Sequence, residues 1–372
     1  MKPFKLKKIK FLNVNRKKKT TEVLNLFGDR VSNSIGRTII ACFAVMGFFY
    51  IAPILINFAS QEIFSTEFQN DSRKVMVYKL NGKEQEVNID VNETFDEKDL
   101  LSDIFTLNDL ETESVRLSAS TINQLFKDTN YNLDDVRLNK LVRPVALTWL
   151  PNEIKKIENT KERKNLFIQI VLPLILEENN NIKLDRLKLF TIINKNNNTK
   201  LEKKWLNQKY KQYGIPSKDL STLKIRMDEI PTSLAIAQAA KETGWGTSRF
   251  ALEGNALFGQ WTWSGEGLKP KDAEKDEGHK VMKFNVLQAS VRAYQRNLNT
   301  HSSYREFRNA RAKLRDEGLE LDSITLSEHL DKYAETGKKY VDTLKKIISQ
   351  NNLKDFDDAK LLPSSKKLES LI

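Results

Sequence analysis

The chain has 372 residues, 40% hydrophobic and 30% charged, with 61 Lys+Arg against 49 Asp+Glu for a net charge of +12. That length supports one or two packed domains, and the apolar fraction excludes wholesale disorder. The cationic excess raises nucleic acid or a membrane surface as partners, yet residues 1–37 hold eleven basic and two acidic side chains while the other 335 hold 50 and 47.

Directly after the basic stretch, residues 38–58 (TIIACFAVMGFFYIAPILINF) run for 21 positions without a charge. As a helix rising about 1.5 Å per residue this segment is roughly 30 Å long, the thickness of a hydrocarbon core. A cleaved signal peptide is the competing reading. It calls for a shorter apolar core and a short basic leader, whereas the leader here has 37 residues and Phe58-Ala59-Ser60 makes a poor cleavage site. Basic residues before the span and no comparable cluster just after it fit the positive-inside bias. The sequence therefore predicts a single-pass inner-membrane protein: a cytoplasmic tail (1–37), a transmembrane helix in contact with membrane lipid (38–58), and a periplasmic remainder. With the charge gathered ahead of the span, a nucleic-acid partner is not expected. Cys42, the single cysteine, falls inside the span, so the exported part has no disulfide to lean on.

Residues 59–140 read as a mixed α/β spacer. Val75, Val77, Val87, Ile89 and Val91 alternate with polar residues around Asn81-Gly82, a strong two-residue hairpin turn. Polar, acidic sequence with short helices follows to about Asp135. The segment from Val142 to Pro151 reads as an extended connection, because each proline disfavours helix just before it. A helical region is expected over 141–215: a buried helix at Leu166–Leu176, interrupted by Pro173, then helices at Asp185–Ile193 and Leu201–Tyr210 with Asn194–Asn198 as a linker. A further domain is placed at 216–350 and a loose polar tail at 351–372.

Within that domain Pro231 sits where a helix can start, good helix formers fill Thr232–Lys241, and Gly244 is placed to end it. Glu242 then lies in the last turn beside Trp245. A carboxyl held against an indole in a partly dry site resists ionisation and can serve as a general acid near neutral pH. Downstream, Asn255-Ala256-Leu257-Phe258-Gly259-Gln260-Trp261-Thr262-Trp263 sets aromatic faces among amides, a surface suited to a sugar chain.

The block Leu234 to Ser248, with Glu242-Thr243-Gly244-Trp245-Gly246-Thr247-Ser248 at its end, together with Asn255-Ala256-Leu257-Phe258-Gly259, resembles the glucosaminidase domain of bacterial cell-wall hydrolases, the flagellar muramidase-like and autolysin group. Continuing through Gln260-Trp261, Ser290-Val291-Arg292-Ala293-Tyr294, Asn297 to His301, Tyr304 and Tyr333, the sequence resembles the bacterial Bax family over about residues 140–350. The resemblance implies a mainly helical, lysozyme-like fold with a small β-lobe, an endo-β-N-acetylglucosaminidase that cleaves the β-1,4 bond after N-acetylglucosamine in peptidoglycan, and glycan strands as partner. By that resemblance Glu242 is the general acid. Trp245, Asn255, Phe258, Gly259 and Trp261 shape the groove, and Tyr333 supports the reaction centre, with Tyr340 seven residues on.

Glycoside hydrolysis usually needs a second group, a nucleophile or a base that activates water. The family's Thr-x-Glu-Tyr/Phe pattern is absent from Asp272–Phe284, where Glu277 and Glu274 are candidates by proximity alone. Assistance by the substrate's 2-acetamido group is the alternative. His279, His301 and His329 are too irregularly spaced to suggest a metal cluster, and no cofactor motif is present, so neither metal nor cofactor is expected. Rival readings are a lytic transglycosylase or muramidase on the same fold, and a catalytically silent wall-binding or morphogenetic scaffold.

Overall fold

The computed structural model describes residues 77–80, 83–86, 101–104, 115–262, 267–269 and 280–363; for the first two segments and for Trp261 it describes the backbone only. The predicted span at 38–58, the basic tail and the Glu274–Glu277 loop lie outside the described residues. Among the described residues no helix is long and apolar enough to cross a membrane. Two units divide the chain, Met1–Ile89 and Asp90–Ile372.

The first unit contains the expected hairpin. Strands β1 (Val77–Leu80) and β2 (Lys83–Glu86) pair antiparallel, with Leu80 opposite Lys83. Asn81-Gly82 is thus the two-residue connection, as the sequence predicts.

The second unit is mainly helical. Helices α1 (Ala119–Asp128) and α2 (Leu133–Asn139) lead into the short strand β3 (Leu141–Val142). There follow α3 (Thr160–Ile193), α4 (Lys200–Gln212), α5 (Leu220–Arg226), α6 (Thr232–Thr243) and α7 (Arg249–Gly254). A small antiparallel sheet comes next, β4 (Trp261–Thr262), β5 (Gly267–Leu268) and β6 (Lys280–Met282), with β6 in the middle. This is the expected β-lobe, set between helices. Helices α8 (Leu287–Thr300), α9 (Arg305–Asp316), α10 (Ser323–Ser327) and α11 (Lys338–Gln350) and strand β7 (Lys360–Leu361) complete the order.

Two sequence expectations change here. Ile122, Phe126, Leu133 and Val136, read as spacer, belong to the same core as Leu234, Phe258 and Leu344, so no boundary falls at residue 140. Their apolar side chains recur on one helical face and need a partner to bury against. At the other end, Leu353, Phe356 and Ala359 join that core, and β7 pairs in parallel with β3. Residues 353–361 are therefore packed, not a loose tail.

Helix α3 is one element of 34 residues rather than two. Glu177–Leu184 lacks glycine and proline, so nothing stops the helix between its two predicted pieces. Pro173 has no amide to offer the carbonyl four residues back. That carbonyl, Gln169 O, instead accepts the Tyr131 hydroxyl at 3.0 Å, and Gln169 Nε2 donates to Tyr131 O at 2.8 Å. The break in the ladder thereby becomes the joint that ties residues 115–139 to the body.

Helix α6 is buried on nearly every side, with Leu234, Ala235, Ile236, Ala237, Ala239 and Ala240 inside the core. Its small residues let α3, α11 and residues 353–356 approach closely. Asp357 takes the Ser233 amide at 2.7 Å and the Ser233 hydroxyl at 2.8 Å, which satisfies an otherwise unpaired donor of the first turn. The core thus holds α6 rigidly and presents its last turn, carrying Glu242, to an open cleft.

Candidate active site

The cleft has a volume of about 800 Å³, and its wall includes Glu242, Gly259, Gln260, Tyr304, Tyr333 and Glu335. Helix α6 ends at Gly244, whose backbone is left-handed (φ 57°) and closes the helix as the sequence predicts. Glu242 therefore sits in the last turn before a fixed stop on a buried helix. Burial raises its pKa above the ordinary carboxylate value, and a hydrogen bond from Tyr340 together with the charge of Lys241 offsets part of that rise.

Tyr340 is the end of a directed chain of buried donors. The Tyr294 hydroxyl donates to Gln238 Oε1 at 2.6 Å, and Gln238 Nε2 donates to the Tyr340 oxygen at 3.1 Å. Because that oxygen already receives Gln238, the Tyr340 hydrogen goes to Glu242. One carboxyl oxygen is thus engaged as an acceptor and the other is left to carry the proton. Gly259 borders the carboxyl so closely that a Cβ added there would stand 3.4 Å from Glu242 Oε2.

Of the other expected groove residues, some reach the cleft and some do not. Tyr333 lines it, stacks on Tyr340 with ring centroids 5.4 Å apart, and donates its hydroxyl to Phe258 O at 3.0 Å. Its role is to hold the floor, since its hydrogen is committed to that carbonyl. Phe258 contributes backbone to the wall, while its ring stacks at 3.8 Å on Tyr294 and is 1% exposed.

Trp245 is a correction. Three successive residues with positive φ, Gly244 to Gly246, reverse the chain. The indole consequently meets Phe167 edge-to-face at 5.9 Å with the Lys164 amine 4.8 Å over its ring, and it is not part of the cleft wall. The raised Glu242 pKa comes from burial rather than from this indole. Asn255 is a second correction: wholly buried and left-handed, it ends α7 and donates to Phe284 O at 3.2 Å. It shapes the loop that delivers Gly259 and touches no cleft surface. The Trp261 backbone pairs with Val281, and Glu277 lies outside the described residues.

Several wall residues come from the stretch Asn297 to His301. His301 Nδ1 accepts the Ser303 amide at 3.2 Å while the residue lines the cleft beside Asn297 and Thr300. Glu335 was missed, although it stands two residues after Tyr333; an exposed carboxylate gives no signal in sequence. Among the described residues no group of three or more His, Cys, Asp or Glu is placed to hold a metal ion.

Residues 220–353 match the family model described as mannosyl-glycoprotein endo-beta-N-acetylglucosaminidase. Protein bax of Escherichia coli is 31% identical over 194 residues, covering 50% of this chain and 69% of that protein. The chain belongs to the Bax family. A solved structure, the catalytic domain of the autolysin Auto from Listeria monocytogenes, shares 20% identity, with coverage of 47% of this chain and 97% of its own and a TM-score of 0.28. In this Bax-family chain the family-model match encloses Glu242, Tyr340 and the whole described wall of the cleft except Leu101 and Gly214.

Proposed function

We propose that the chain is a membrane-anchored peptidoglycan hydrolase that cleaves the β-1,4 bond after N-acetylglucosamine, with Glu242 as general acid and residues 38–58 as its anchor in the inner membrane. The observation that carries this reading is the Glu242 carboxyl itself: half-buried, raised in pKa, oriented by Tyr340 and open to an 800 Å³ cleft. A protonated carboxyl in that setting gives its proton to the glycosidic oxygen as the bond breaks. Membership of the Bax family and the glucosaminidase match support the substrate class.

The group that completes hydrolysis is Glu335, the other described carboxylate of the cleft wall, or Glu277 or Glu274 of the sequence reading, or the substrate's own 2-acetamido group. Glu335→Gln tests the first of these: a loss of about 100-fold or more in kcat marks Glu335 as the base, and near-full activity removes it.

The test is digestion of purified sacculi followed by mass spectrometry of the new sugar ends. Wild type is expected to release N-acetylglucosamine reducing ends, and Glu242→Gln to lower that rate by roughly 100- to 10,000-fold. Anhydromuramic ends would instead identify a lytic transglycosylase. A wild-type chain that releases nothing would leave a wall-binding scaffold.

A further inference from the structure

Two groups of arginines in this body differ in their partners. Arg311 and Arg315 meet Asp228, Arg315 also meets Glu229, Arg296 meets Asp103, and Arg292 grips Glu178. Arg226, Arg305 and Arg308 differ, for among the described residues none of the three forms an ion pair. Arg226 ends α5 and donates Nη1 to Tyr213 O at 2.7 Å and Gly214 O at 2.8 Å. Arg308 donates Nη1 to Leu298 O at 2.9 Å and His301 O at 2.8 Å. Backbone carbonyls therefore fix both guanidinium groups while their charge stays unmatched.

These cations lie close enough to oppose one another. Burial and then Arg226, Arg311 and Arg305 bring Arg308 down to about 10, and burial with Arg305 lowers Arg226. Burial and Arg308 lower His301, whose Nδ1 is an acceptor, so its neutral ring carries the hydrogen on Nε2. Arg226 and His301 both line the cleft, as do Gly214 and Thr300. A fixed, partly desolvated cluster of like charge facing a substrate cleft is stabilised by an anion, and a guanidinium suits a carboxylate or phosphate in particular.

On the reading that peptidoglycan is the substrate, the N-acetylglucosamine rings are neutral, and the lactyl carboxyl of a muramic acid residue is held as an amide wherever a stem peptide is attached. The carboxylates are on the peptide stems borne by the muramic acid residues. We propose that Arg226, Arg305 and His301 form a subsite for a stem-peptide carboxylate, so that this cleft discriminates against glycan whose stem carboxylates are masked. The carboxylate would accept the free guanidinium hydrogens of Arg226 and the Nε2 hydrogen of His301, with the exposed Arg305, whose charge is felt at Arg226, adding positive charge.

The test uses the full chain carrying Glu242→Gln, which removes turnover, and titrates two probes by calorimetry. One is the N-acetylglucosaminyl-muramyl tetrapeptide, and the other is the same molecule with its carboxylates converted to methylamides. The free carboxylates are expected to bind about tenfold more tightly, a preference that shrinks with salt. Arg226→Gln should erase most of that preference and Arg226→Lys should retain part of it. Arg305→Gln, at an exposed residue that makes no hydrogen bond among the described residues, should reduce the preference without risk to the fold. Equal binding of the two probes overturns the subsite, as does a preference that survives both glutamine variants. Displacement of the tetrapeptide probe by inorganic phosphate at equal or lower concentration overturns the carboxylate assignment in favour of a phosphate-bearing ligand. If wild type digests sacculi while either result appears, only the subsite fails; if wild type releases no sugar ends, the hydrolase reading fails.

Discussion

Replacing Tyr340 with Phe removes one oxygen that serves two buried partners, and the two losses separate cleanly. Gln238 is wholly buried and Tyr340 is 2% exposed, so Gln238 Nε2 loses an acceptor that water does not readily replace. An unsatisfied buried donor costs about 1–3 kcal/mol. For a body of this size that corresponds to a fall in Tm of roughly 2–12 °C. The second loss is electrostatic. The Tyr340 hydrogen bond favours the ionised Glu242 carboxylate, so its removal moves the already raised pKa further up. The basic limb of a kcat/KM profile on sacculi, which follows deprotonation of the acid in the free enzyme, should therefore shift to higher pH. At the optimum kcat should fall roughly tenfold, because the oxygen that carries the proton is no longer selected. A variant that folds and keeps the basic limb where it was, or moves it to lower pH, refutes the chain of donors from Tyr294 to Glu242.

Trp245→Ala should lower Tm by several degrees, consistent with a loss of about 3–5 kcal/mol for a packed aromatic, yet leave KM for sacculi within about twofold, since the indole packs on Phe167 outside the cleft; a large rise in KM would restore it as a sugar platform. Gly259→Ala should cost about 1 kcal/mol because φ there is 62°, and should lower kcat by crowding the Glu242 oxygen 3.4 Å away, both read from melting curves and initial rates. Asp357, raised by burial from 3.8 to about 6, binds protons more readily in the folded chain than in the unfolded one. Its stabilising contribution is therefore complete below pH 3.8 and is lost as pH rises through 6, a change of about 3 kcal/mol. Subtracting Asp357→Asn from wild type in denaturant titrations at pH 4 and pH 7 should reveal that slope, and a flat difference would remove Asp357 as its source.

How much of this was legible in the sequence varied with the kind of signal. The stop at Gly244, the start after Pro231 and the hairpin at Asn81-Gly82 are local backbone requirements, and each stands where local chemistry put it. Glu242 was found because it occupies a fixed place relative to that stop. The cleft itself was not local: Tyr340 reaches Glu242 from another helix, 98 residues along the chain, and Gln238 joins them only because α6 and α11 pack together. Trp245 misled for the complementary reason. Its neighbour in sequence is the acid, but the run of positive φ from Gly244 to Gly246 turns the ring back onto Phe167. Adjacency along the chain predicts contact only where the backbone between two residues continues regularly, and here it reverses.

Why the acid sits at the end of a buried helix follows from the same packing. A helix carries partial negative charge at its C-terminus, which disfavours a second negative charge in the last turn. Burial acts in the same direction on Glu242, so two independent features of α6 favour the protonated form. Left alone, such a carboxyl would hold its proton on either oxygen and donate it in no fixed direction. The Tyr340 hydrogen bond accepts a small loss of that bias in exchange for orientation, and Gln238 and Tyr294 hold the tyrosine so that the orientation persists. Because the four groups come from α6, α8 and α11, the Glu242 carboxyl is set by the body's helical core. A change in the core around α6 should therefore alter the pH profile before it alters substrate binding, whereas a change in the Arg226 wall should do the reverse.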